Sequence, residues 1–375
     1  MNLSNMPQAK LGIVAVSRNC FPKSLSENRR KAVAAAYKGE IYECPTVVEN
    51  EMDMKQALKE LDFEMMRPYP HSVDVKDSII QYWKDYCPLN YKRIVLCDGS
   101  VGGLYLLNRL FLERGDSVLG IAPQFSEYVT DVRMYGTNVT GVPLKKENNY
   151  RFSVEDLLAA LTPDHKLIYI DNPNNPTGQA IPLSDIETIL AAANKNGTAV
   201  IIDEAYGEYI PKKNSAVSLL DKYENLIVAR TFSKGFGLAG LRAGYLLIPE
   251  CLAPYIANIT NPYCMTEFAR SVASKTILDE SFLEILQSKT AEMKKQMYRP
   301  WKNLSIAHTC DTVSISMITH QNPEIDLAAE FAKRRILVIS GNDFENIGQN
   351  SVRLRVPEEK DMPAVLKAME EIDQL

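Results

Sequence analysis

The sequence predicts an α/β fold in which a large, mostly parallel β-sheet carries helices on both faces and is followed by a smaller α+β domain. From residue 93 to residue 248, short apolar runs alternate with helical patterns, which is typical of a covered parallel sheet. After about residue 260, strands of alternating polarity flank single helices instead. A chain of 375 residues is also too long for one small core and suits two domains.

The first of these domains is predicted to span residues 66–258. Its strands are predicted at seven apolar runs, 93–97, 117–122, 138–142, 166–170, 198–202, 225–229 and 243–248. Helices are predicted between several of these runs, at 102–112, 124–134, 153–161 and 183–195. Ligands of such sheets bind beyond the carboxyl ends of the strands, so the residues that follow each run are the candidates for chemistry.

The second domain is predicted at residues 259–375. A long helix over 264–302 should end at the Arg299-Pro300 pair, because proline cannot continue a helix. Alternating strands follow in SIAHT, TVSISMI, ILVIS and SVRLRV, together with helices at 325–334 and 361–373.

Residues 1–65 form an atypical N-terminal segment. A strand in LGIVAVS, a helix at 25–37, a strand in IYECP and a helix at 50–61 predict a self-contained βαβα fragment. This fragment precedes the main sheet and has a different spacing of predicted strands and helices.

Composition and charge exclude several classes of function. The net charge of -5, without long runs of one sign, argues against a general nucleic-acid or membrane-surface binder. The first ten residues lack a secretory pattern, and no apolar run approaches the roughly 20 residues that span a bilayer. Seven scattered cysteines without a CxxC pair suit free thiols, which predicts a cytoplasmic protein. The four histidines have no metal-ligand spacing, so no metal site is expected.

Small residues follow the first apolar run, where Asp98-Gly99-Ser100-Val101-Gly102-Gly103 leads into a helix. Backbone amides there can approach a phosphate, and the helix N-terminus adds partial positive charge. Taken alone, such a segment is more often a plain tight turn. Phe125 follows the second run, where an aromatic ring can cover a flat ligand or begin a helix in the core.

A rigid turn follows the fourth run, because 171–178 contains two prolines, three asparagines and a glycine. A plain loop needs no such density, and the Asn175 amide can donate to a phenolate oxygen. Asp203 directly follows the fifth run. If it is buried it needs a cationic partner, such as a pyridinium N–H, although a helix-capping aspartate is the alternative.

Lys234 lies between Ser233 and a glycine-rich stretch that leads to Arg242. Most lysines are solvated surface residues, but the small and apolar neighbours of Lys234 favour a buried, reactive amine. Since all these sites follow strands of one sheet, we expect them to converge at one crevice.

Three motifs resemble those of transferases of fold type I that use pyridoxal 5′-phosphate (PLP). They are Asn-Asn-Pro-Thr-Gly at 174–178, Asp-Glu-Ala-Tyr at 203–206, and Thr-Phe-Ser-Lys…Gly-Leu-Ala-Gly-Leu-Arg at 231–242. The resemblance covers about residues 66–375 and is strongest for the class I and II aminotransferases, particularly the histidinol-phosphate aminotransferase branch. It implies a pyridoxal 5′-phosphate cofactor. It also implies transfer of an amino group between an amino acid and a 2-oxo acid. Anionic and phosphorylated amino acids of the histidinol-phosphate kind are among the candidate substrates.

The resemblance implies a role for each matching residue. Lys234 binds the cofactor as a Schiff base and moves a proton, Asp203 keeps the pyridine nitrogen protonated, and Tyr206 bonds the ring oxygen O3′. The remaining cofactor contacts are Phe125 and Asn175 at the ring, and Gly99, Ser100, Val101, Ser233 and Arg242 at the phosphate.

Substrate and partner contacts follow from the same resemblance. Arg353 matches the arginine that holds the substrate carboxylate in a bidentate fork, with Asn175 beside the substrate. Tyr69 matches a tyrosine that reaches the phosphate of the neighbouring subunit, which implies a homodimer with shared active sites.

The chain departs from the family pattern at three places. The phosphate turn carries Val101-Gly102 where relatives have acidic residues, so backbone donors survive but carboxylate contacts do not. Arg355 shares a strand face with Arg353 and is either a second cation near the substrate or a solvated rim residue. The stretch from Leu11 to Leu61 faintly resembles the start of an L-fucose-isomerase-like protein.

Two alternative functions are open at this point. A PLP-dependent decarboxylase of the threonine-phosphate kind has the same fold and cofactor. A non-catalytic regulator or a sugar-binding fusion is the other alternative, and joint retention of Lys234, Asp203 and Arg353 argues against it.

Overall fold

The computed structural model describes residues 11–14, 23–36, 41–44, 69–70 and 73–375. Near the N-terminus, strands β1 (Leu11–Ile13) and β2 (Ile41–Glu43) pair in parallel, and helix α1 (Lys23–Ala36) connects them. This part of the N-terminal prediction is confirmed. The helix predicted at 50–61 lies outside the described residues.

A seven-stranded sheet forms the centre of the chain. Its strands are β3 (Ile94–Cys97), β4 (Ser117–Ala122), β5 (Asn138–Pro143), β6 (His165–Asp171), β7 (Ala199–Asp203), β8 (Leu226–Thr231) and β9 (Gly244–Leu247). Their spatial order is β3-β9-β8-β7-β6-β4-β5. The pairs between β5 and β8 are parallel, and β9 is antiparallel to both neighbours. The predicted, mostly parallel sheet is confirmed.

Apolar side chains cover both faces of this sheet. Along β6, Ile168 and Ile170 enter one core while Leu167 and Tyr169 enter the other, because successive side chains of a strand point to opposite faces. Helices supply the outer layers on both sides. They are α2 (Asp74–Trp83), α3 (Ser100–Phe111), α4 (Ser126–Met134), α5 (Val154–Ala160), α6 (Leu183–Lys195) and α7 (Ala253–Ala257).

A second sheet, four-stranded and antiparallel, lies nearer the C-terminus. Its strands are β10 (Leu304–Ile306), β11 (Ile315–His320), β12 (Ile339–Ser340) and β13 (Ser351–Arg355), in the order β10-β11-β13-β12. Helices α10 (Leu327–Lys333) and α11 (Met362–Ile372) pack on it around Phe331, Val352 and Met369. The predicted α+β arrangement is confirmed.

The single helix predicted over 264–302 is wrong. The structure has two helices there, α8 (Glu267–Thr276) and α9 (Ser281–Lys295). Thr266 caps the first by accepting a hydrogen bond from the Ala269 amide. At its other end, Arg29 of α1 donates to the Thr276 carbonyl. A guanidinium from a distant segment therefore satisfies this helix end, and no local pattern reveals it.

The prediction that the N-terminal fragment is self-contained is also wrong, because its helix α1 packs against later parts of the chain. Arg29 pairs with Asp279 at 2.6 Å, between α8 and α9. Its guanidinium lies 4.9 Å from the ring centroid of Phe282 and 5.9 Å from that of Phe236. Helix α1 is thus docked beside the segment that follows Lys234.

The described residues contain neither a helix that could span a membrane nor a metal-binding cluster. None of their helices has the length and apolar character needed to cross a membrane. No group of three or more His, Cys, Asp and Glu side chains in these ranges is arranged to hold a metal ion.

Candidate active site

The carboxyl ends of three neighbouring strands bring the sequence motifs together. Asp171 ends β6 and pairs in register with Asp203, the last residue of β7. Asp203 in turn pairs with Ala229 of β8, the strand that leads into Lys234. The motifs at 171–178, 203–206 and 231–242 therefore meet at one edge of the sheet, as predicted.

Asp203 is a buried carboxyl group held in place by uncharged donors. The Tyr169 hydroxyl donates to its Oδ2 at 3.0 Å, and the Ala205 amide donates to its Oδ1 at 3.1 Å. Burial raises the pKa of Asp203 to about 6, although these hydrogen bonds and the nearby Lys234 ammonium lower it. A cation brought against this carboxyl would therefore be strongly favoured.

Two tyrosines support Asp203 from below, and sequence reasoning missed both. The rings of Tyr128 and Tyr169 stack with centroids 3.6 Å apart and an angle of 13° between their planes. Burial raises the pKa of the Tyr169 phenol well above its usual range, so Tyr169 stays a hydrogen-bond donor. The sequence does contain one indication of this position. Tyr169 alternates with Ile168 and Ile170 along β6, so its side chain lies on the opposite face of the sheet.

Asp171 organises the turn that follows β6. Its carboxyl accepts from the amides of Phe125 at 3.1 Å and Asn175 at 2.9 Å, and from the Asn174 side chain at 2.8 Å. Burial raises the pKa of Asp171 to about 7 against these hydrogen bonds. Sequence reasoning gave Asp171 no role, yet it fixes the backbone of both Phe125 and Asn175.

Gly178 closes this turn with a left-handed backbone, at φ +77°. A Cβ atom there would lie 2.3 Å from the Ile315 carbonyl oxygen and 2.6 Å from Thr309 Oγ1. Only glycine allows the second sheet's chain to approach so closely. The turn is therefore a contact between the two sheets as well as a part of the site.

Lys234 is half-buried and faces an aromatic ring. Its Nζ lies 5.6 Å from the ring centroid of Tyr206, which is itself buried. The preceding Ser233 is buried, and its hydroxyl accepts from Thr231 Oγ1 at 2.9 Å. The structure thus brings together Lys234, Tyr206 and Asp203, the three predicted catalytic residues.

Gly99 and Arg242 form a cradle at the start of α3. Gly99 has φ +87°, and a Cβ there would lie 2.4 Å from Arg242 Nη2. Arg242 Nη2 donates to the Asp98 carbonyl at 2.8 Å, and its Nη1 lies 3.4 Å from Ser233 Oγ. Ser100 and Val101 begin α3 directly after this turn, so their amides are among the free N–H groups of a helix N-terminus.

These residues fit pyridoxal 5′-phosphate. The hydrogen bonds described for Asp203 come from uncharged groups, so a pyridinium N–H would supply a counter-ion. The Gly99 cradle leaves room beside a guanidinium, a hydroxyl and a helix N-terminus, which together suit a doubly charged phosphate. Lys234 lies in the same crevice and supplies the amine that the cofactor aldehyde requires.

The substrate side of the site comes from the second sheet. Arg353 Nη1 donates to Asn175 Oδ1 at 2.8 Å, although the two residues belong to different sheets. Val352 and Leu354 are buried while Arg353 and Arg355 are half-buried, so the predicted shared face of the two arginines is confirmed. Burial raises the pKa of Tyr209 to about 12, against the lowering effect of the Arg355 charge. The ring centroids of Tyr209 and Tyr206 are 6.0 Å apart.

Tyr69 lies at the surface rather than inside this crevice. Its side chain is 75% exposed, and its ring centroid is 4.9 Å from that of Tyr263, which is 55% exposed. Arg67 and Pro68, which precede Tyr69 in the sequence, lie outside the described residues.

A buried ion-pair cluster beneath the site was also missed. Arg230 of β8 pairs with Glu204 at 2.6 Å and with Glu208, and all three side chains are almost fully buried. Glu204 directly follows Asp203, and Glu208 packs against Gly235, where a Cβ would lie 2.3 Å from the Glu208 Cβ. The cluster therefore ties the Asp203 strand to the segment that carries Lys234.

Comparison with known sequences gives consistent matches. Residues 34–369 match the family described as "Aminotransferase class I and II", so the match enters the atypical N-terminal segment. The chain is 31% identical over 305 residues to a histidinol-phosphate aminotransferase of Methanococcoides burtonii, covering 81% of this chain and 82% of that protein. It is 36% identical over 238 residues to the enzyme of that name in Haloquadratum walsbyi, but this match covers only 63% of the chain and 61% of the relative.

Solved structures share the fold. The histidinol-phosphate aminotransferase of Clostridium acetobutylicum superposes with a TM-score of 0.71 at 22% identity, over 83% of this chain and 92% of that one. A histidinol-phosphate aminotransferase of Sinorhizobium meliloti, solved with pyridoxal-5′-phosphate, gives 0.70 at 20% identity over 97% of this chain and 90% of that one. An L-threonine-O-3-phosphate decarboxylase of Porphyromonas gingivalis gives 0.68 at 18% identity, over 84% and 96%.

Proposed function

The chain belongs to the class I and II aminotransferases, and we propose that it transfers an amino group between an anionic amine or amino acid and a 2-oxo acid. Its cofactor is pyridoxal 5′-phosphate, bound at Lys234. The observation that carries this proposal is the meeting of Asp203, Lys234 and the Gly99 turn at one edge of the central sheet.

When bound, the cofactor supplies an aldehyde that accepts the amino group and a protonated ring that draws electrons from the substrate Cα. Asp203 holds the proton on the pyridine nitrogen, because a buried carboxylate favours a cation beside it. Lys234 Nζ, once the substrate amine has entered, moves the proton at Cα. Tyr206 and Asn175 orient the ring oxygen.

Other side chains hold and cover the cofactor. Phe125, whose amide donates to Asp171, would cover the cofactor ring. The phosphate is held by the amides of Gly99, Ser100 and Val101, the Ser233 hydroxyl and the Arg242 guanidinium. Val101 and Gly102, which follow Ser100, have no charged side chains, so around Ser100 the phosphate is held by backbone donors.

Arg353 binds the anionic group of the substrate. Its guanidinium already donates to Asn175 through Nη1, so its orientation is set before the substrate arrives. A carboxylate and a phosphate both accept such a fork. The curated name of the Methanococcoides burtonii relative favours a substrate of the histidinol-phosphate kind.

Two copies of the chain complete each site. Tyr69 and Tyr263 form an exposed aromatic pair, and a cleft of about 710 Å³ opens nearby along Pro262, Cys264 and the edge strand β3. Apolar surface of this kind marks an interface. In the homodimer, the Tyr69 hydroxyl reaches the cofactor phosphate of the neighbouring subunit.

The division of the chain and its location belong to the same proposal. Residues 66–258 form the cofactor domain and 259–375 the small domain, with 1–65 as an N-terminal segment. The protein works in the cytoplasm on amino-acid metabolites, which suits the free thiols found for the cysteines in the described residues. Neither nucleic acid nor a membrane is a partner.

Two measurements test the proposed function. Borohydride reduction of the loaded protein and peptide mapping should label Lys234, and a label on another lysine would contradict its role. A half-reaction screen should then convert the absorbance band of bound pyridoxal phosphate into that of pyridoxamine phosphate, first with histidinol phosphate and then with amino acids. Release of CO₂ from O-phosphothreonine without pyridoxamine phosphate would show a decarboxylase instead.

A further inference from the structure

Lys294 is a fully buried lysine of α9 whose ammonium is used by nothing in the proposed chemistry. Its Nζ has three N–H donors and lies within hydrogen-bonding distance of four acceptors, Thr309 Oγ1 at 2.6 Å and the carbonyl oxygens of Cys310 at 2.8 Å, Val313 at 2.9 Å and Ile315 at 3.0 Å. One side chain therefore gathers the whole segment 309–315. All four acceptors are uncharged, and burial lowers the pKa of Lys294 to about 7.

The gathered segment lies against the active site. The Cys310 amide donates to the Gly178 carbonyl at 2.9 Å, and Gly178 has no side chain because Thr309 Oγ1 and the Ile315 oxygen occupy that space. Val313 and Ile315 pack in one apolar cluster with Tyr206 and Tyr209. The segment thus touches both the turn that carries Asn175 and the ring next to Lys234.

The same segment leads into the strand that aligns Arg353. Ile315 begins β11, which pairs with β13 through Met317 opposite Arg353 and Ile315 opposite Arg355. Arg353 then crosses to Asn175 in the other sheet. Movement of the 309–315 segment away from Gly178 would change the position of Arg353 relative to Asn175.

We infer that Lys294 is a positioning residue: by gathering 309–315 against Gly178, it sets the distance between the substrate-binding Arg353 and the cofactor-binding domain. This inference rests on the proposed function for the identity of Arg353 as the anion-binding residue. Lys294 touches neither substrate nor cofactor. Its loss should therefore weaken substrate binding and spare the cofactor, whose contacts belong to the other sheet.

The test compares Lys294→Met with Lys295→Met, a matched control because Lys295 is the exposed neighbour on the same helix. Both variants are loaded with pyridoxal phosphate. The Lys294 variant should raise the KM for 2-oxoglutarate at least about tenfold, the scale of one charge-assisted hydrogen bond, with kcat and cofactor retention within about twofold. Lys295→Met should match the unaltered protein.

Hydrogen exchange of the protein without cofactor supplies a readout independent of activity. The Cys310 amide should exchange faster in Lys294→Met, because its hydrogen bond to the Gly178 carbonyl loosens. Its exchange rate should be unchanged in Lys295→Met. If Lys294→Met does not fold, Thr309→Val, which removes one acceptor, is measured in its place and should raise KM about threefold.

Three outcomes overturn the inference. They are an unchanged KM, an unchanged Cys310 exchange rate, or a joint loss of kcat, cofactor and thermal stability. If the unaltered protein does not transaminate, the proposed function fails instead. In that case the exchange rate of the Cys310 amide still decides whether Lys294 holds residues 309–315 against Gly178.

Discussion

At the scale of single residues, the site depends on buried carboxyl groups kept in place by neutral donors. Asp203 and Asp171 end adjacent strands, and burial raises the pKa of both. A buried carboxyl group destabilises the fold while it is ionised and unpaired, so two of them at one edge of a sheet indicate a binding function. At Asp203, binding of a cationic ring nitrogen would remove this destabilisation. The Asp171 oxygens accept hydrogen bonds that orient Phe125 and Asn175.

Asp203→Asn should remove both turnover and a pH dependence of stability. The folded pKa of about 6 lies above the usual 3.8, so the folded protein binds the proton more tightly than the unfolded chain between these values. Stability without cofactor should then fall as pH rises from about 4 to 6, by about 3 kcal/mol from this group. Thermal unfolding across this range should show a smaller decline in Asp203→Asn.

Cofactor binding should flatten the same dependence in the unaltered protein, because a cation lowers the pKa of Asp203. Equal slopes for the two proteins without cofactor, together with near-normal turnover of Asp203→Asn, would show that this aspartate is structural.

Arg353→Lys should raise the KM of every substrate and spare cofactor binding. Lysine supplies the charge but not the two parallel N–H···O bonds, a loss of roughly 1.5–3 kcal/mol or about ten- to a hundredfold in affinity. Arg355→Lys is the matched control on the same strand face. It should matter only for substrates with a second anion, such as acidic or phosphorylated ones. A silent Arg353→Lys beside a disabling Arg355→Lys would assign the anion to Arg355.

At the scale of elements, the ends of β7 and β8 are joined by a buried ion cluster. Arg230 pairs with Glu204 and Glu208 at once, and its guanidinium carbon lies 5.1 Å from the ring centroid of Trp83. Glu204 also accepts from Ser215 Oγ at 2.6 Å. Because Glu208 packs on Gly235, the position of the Lys234 segment depends on this cluster.

Arg230→Met should destabilise the fold by about 3–5 kcal/mol, because it leaves two buried carboxyl groups without a cation. Chemical denaturation measures this change. Lys222→Met, which breaks the exposed pair between Lys222 and Glu187, is the control and should have no measurable effect. Equal midpoints for the two variants would mean that the buried cluster is readily replaced by apolar packing.

At the scale of the whole molecule, the site is assembled from parts of both sheets. The Arg353–Asn175 hydrogen bond and the contact of 309–315 with Gly178 both cross between them. On the outer surface, the exposed Tyr69 and Tyr263 rings stand beside the cleft at β3. Assembly of two chains is the remaining step that would bring Tyr69 to a phosphate.

Tyr69→Phe should weaken retention of pyridoxal phosphate in the dimer by one hydrogen bond to a charged group, about tenfold or more. Equilibrium dialysis measures this loss, and analytical ultracentrifugation should show that the variant is still a dimer. Tyr255→Phe alters another exposed tyrosine and should retain the cofactor normally. A monomer with full cofactor occupancy and turnover would contradict the shared site.

The sequence by itself determined the central sheet and the order of its site motifs. Seven apolar runs with helical segments between them specify covered strands, and their carboxyl ends place Asp203, Asn175 and Lys234 at one edge. The shared face of Arg353 and Arg355 followed from the two-residue period of a strand. These features are local, since each depends on residues close together in the chain.

Only the tertiary structure decided how distant groups satisfy one another. Arg29 ends α8 from 247 positions away, which split a helix that local periodicity had predicted to be continuous. Lys294 and Arg230 are ordinary basic residues in the sequence and become buried hubs through partners from other elements. Burial and hydrogen bonding of a charged group depend on what packs against it, and one-dimensional patterns do not record that.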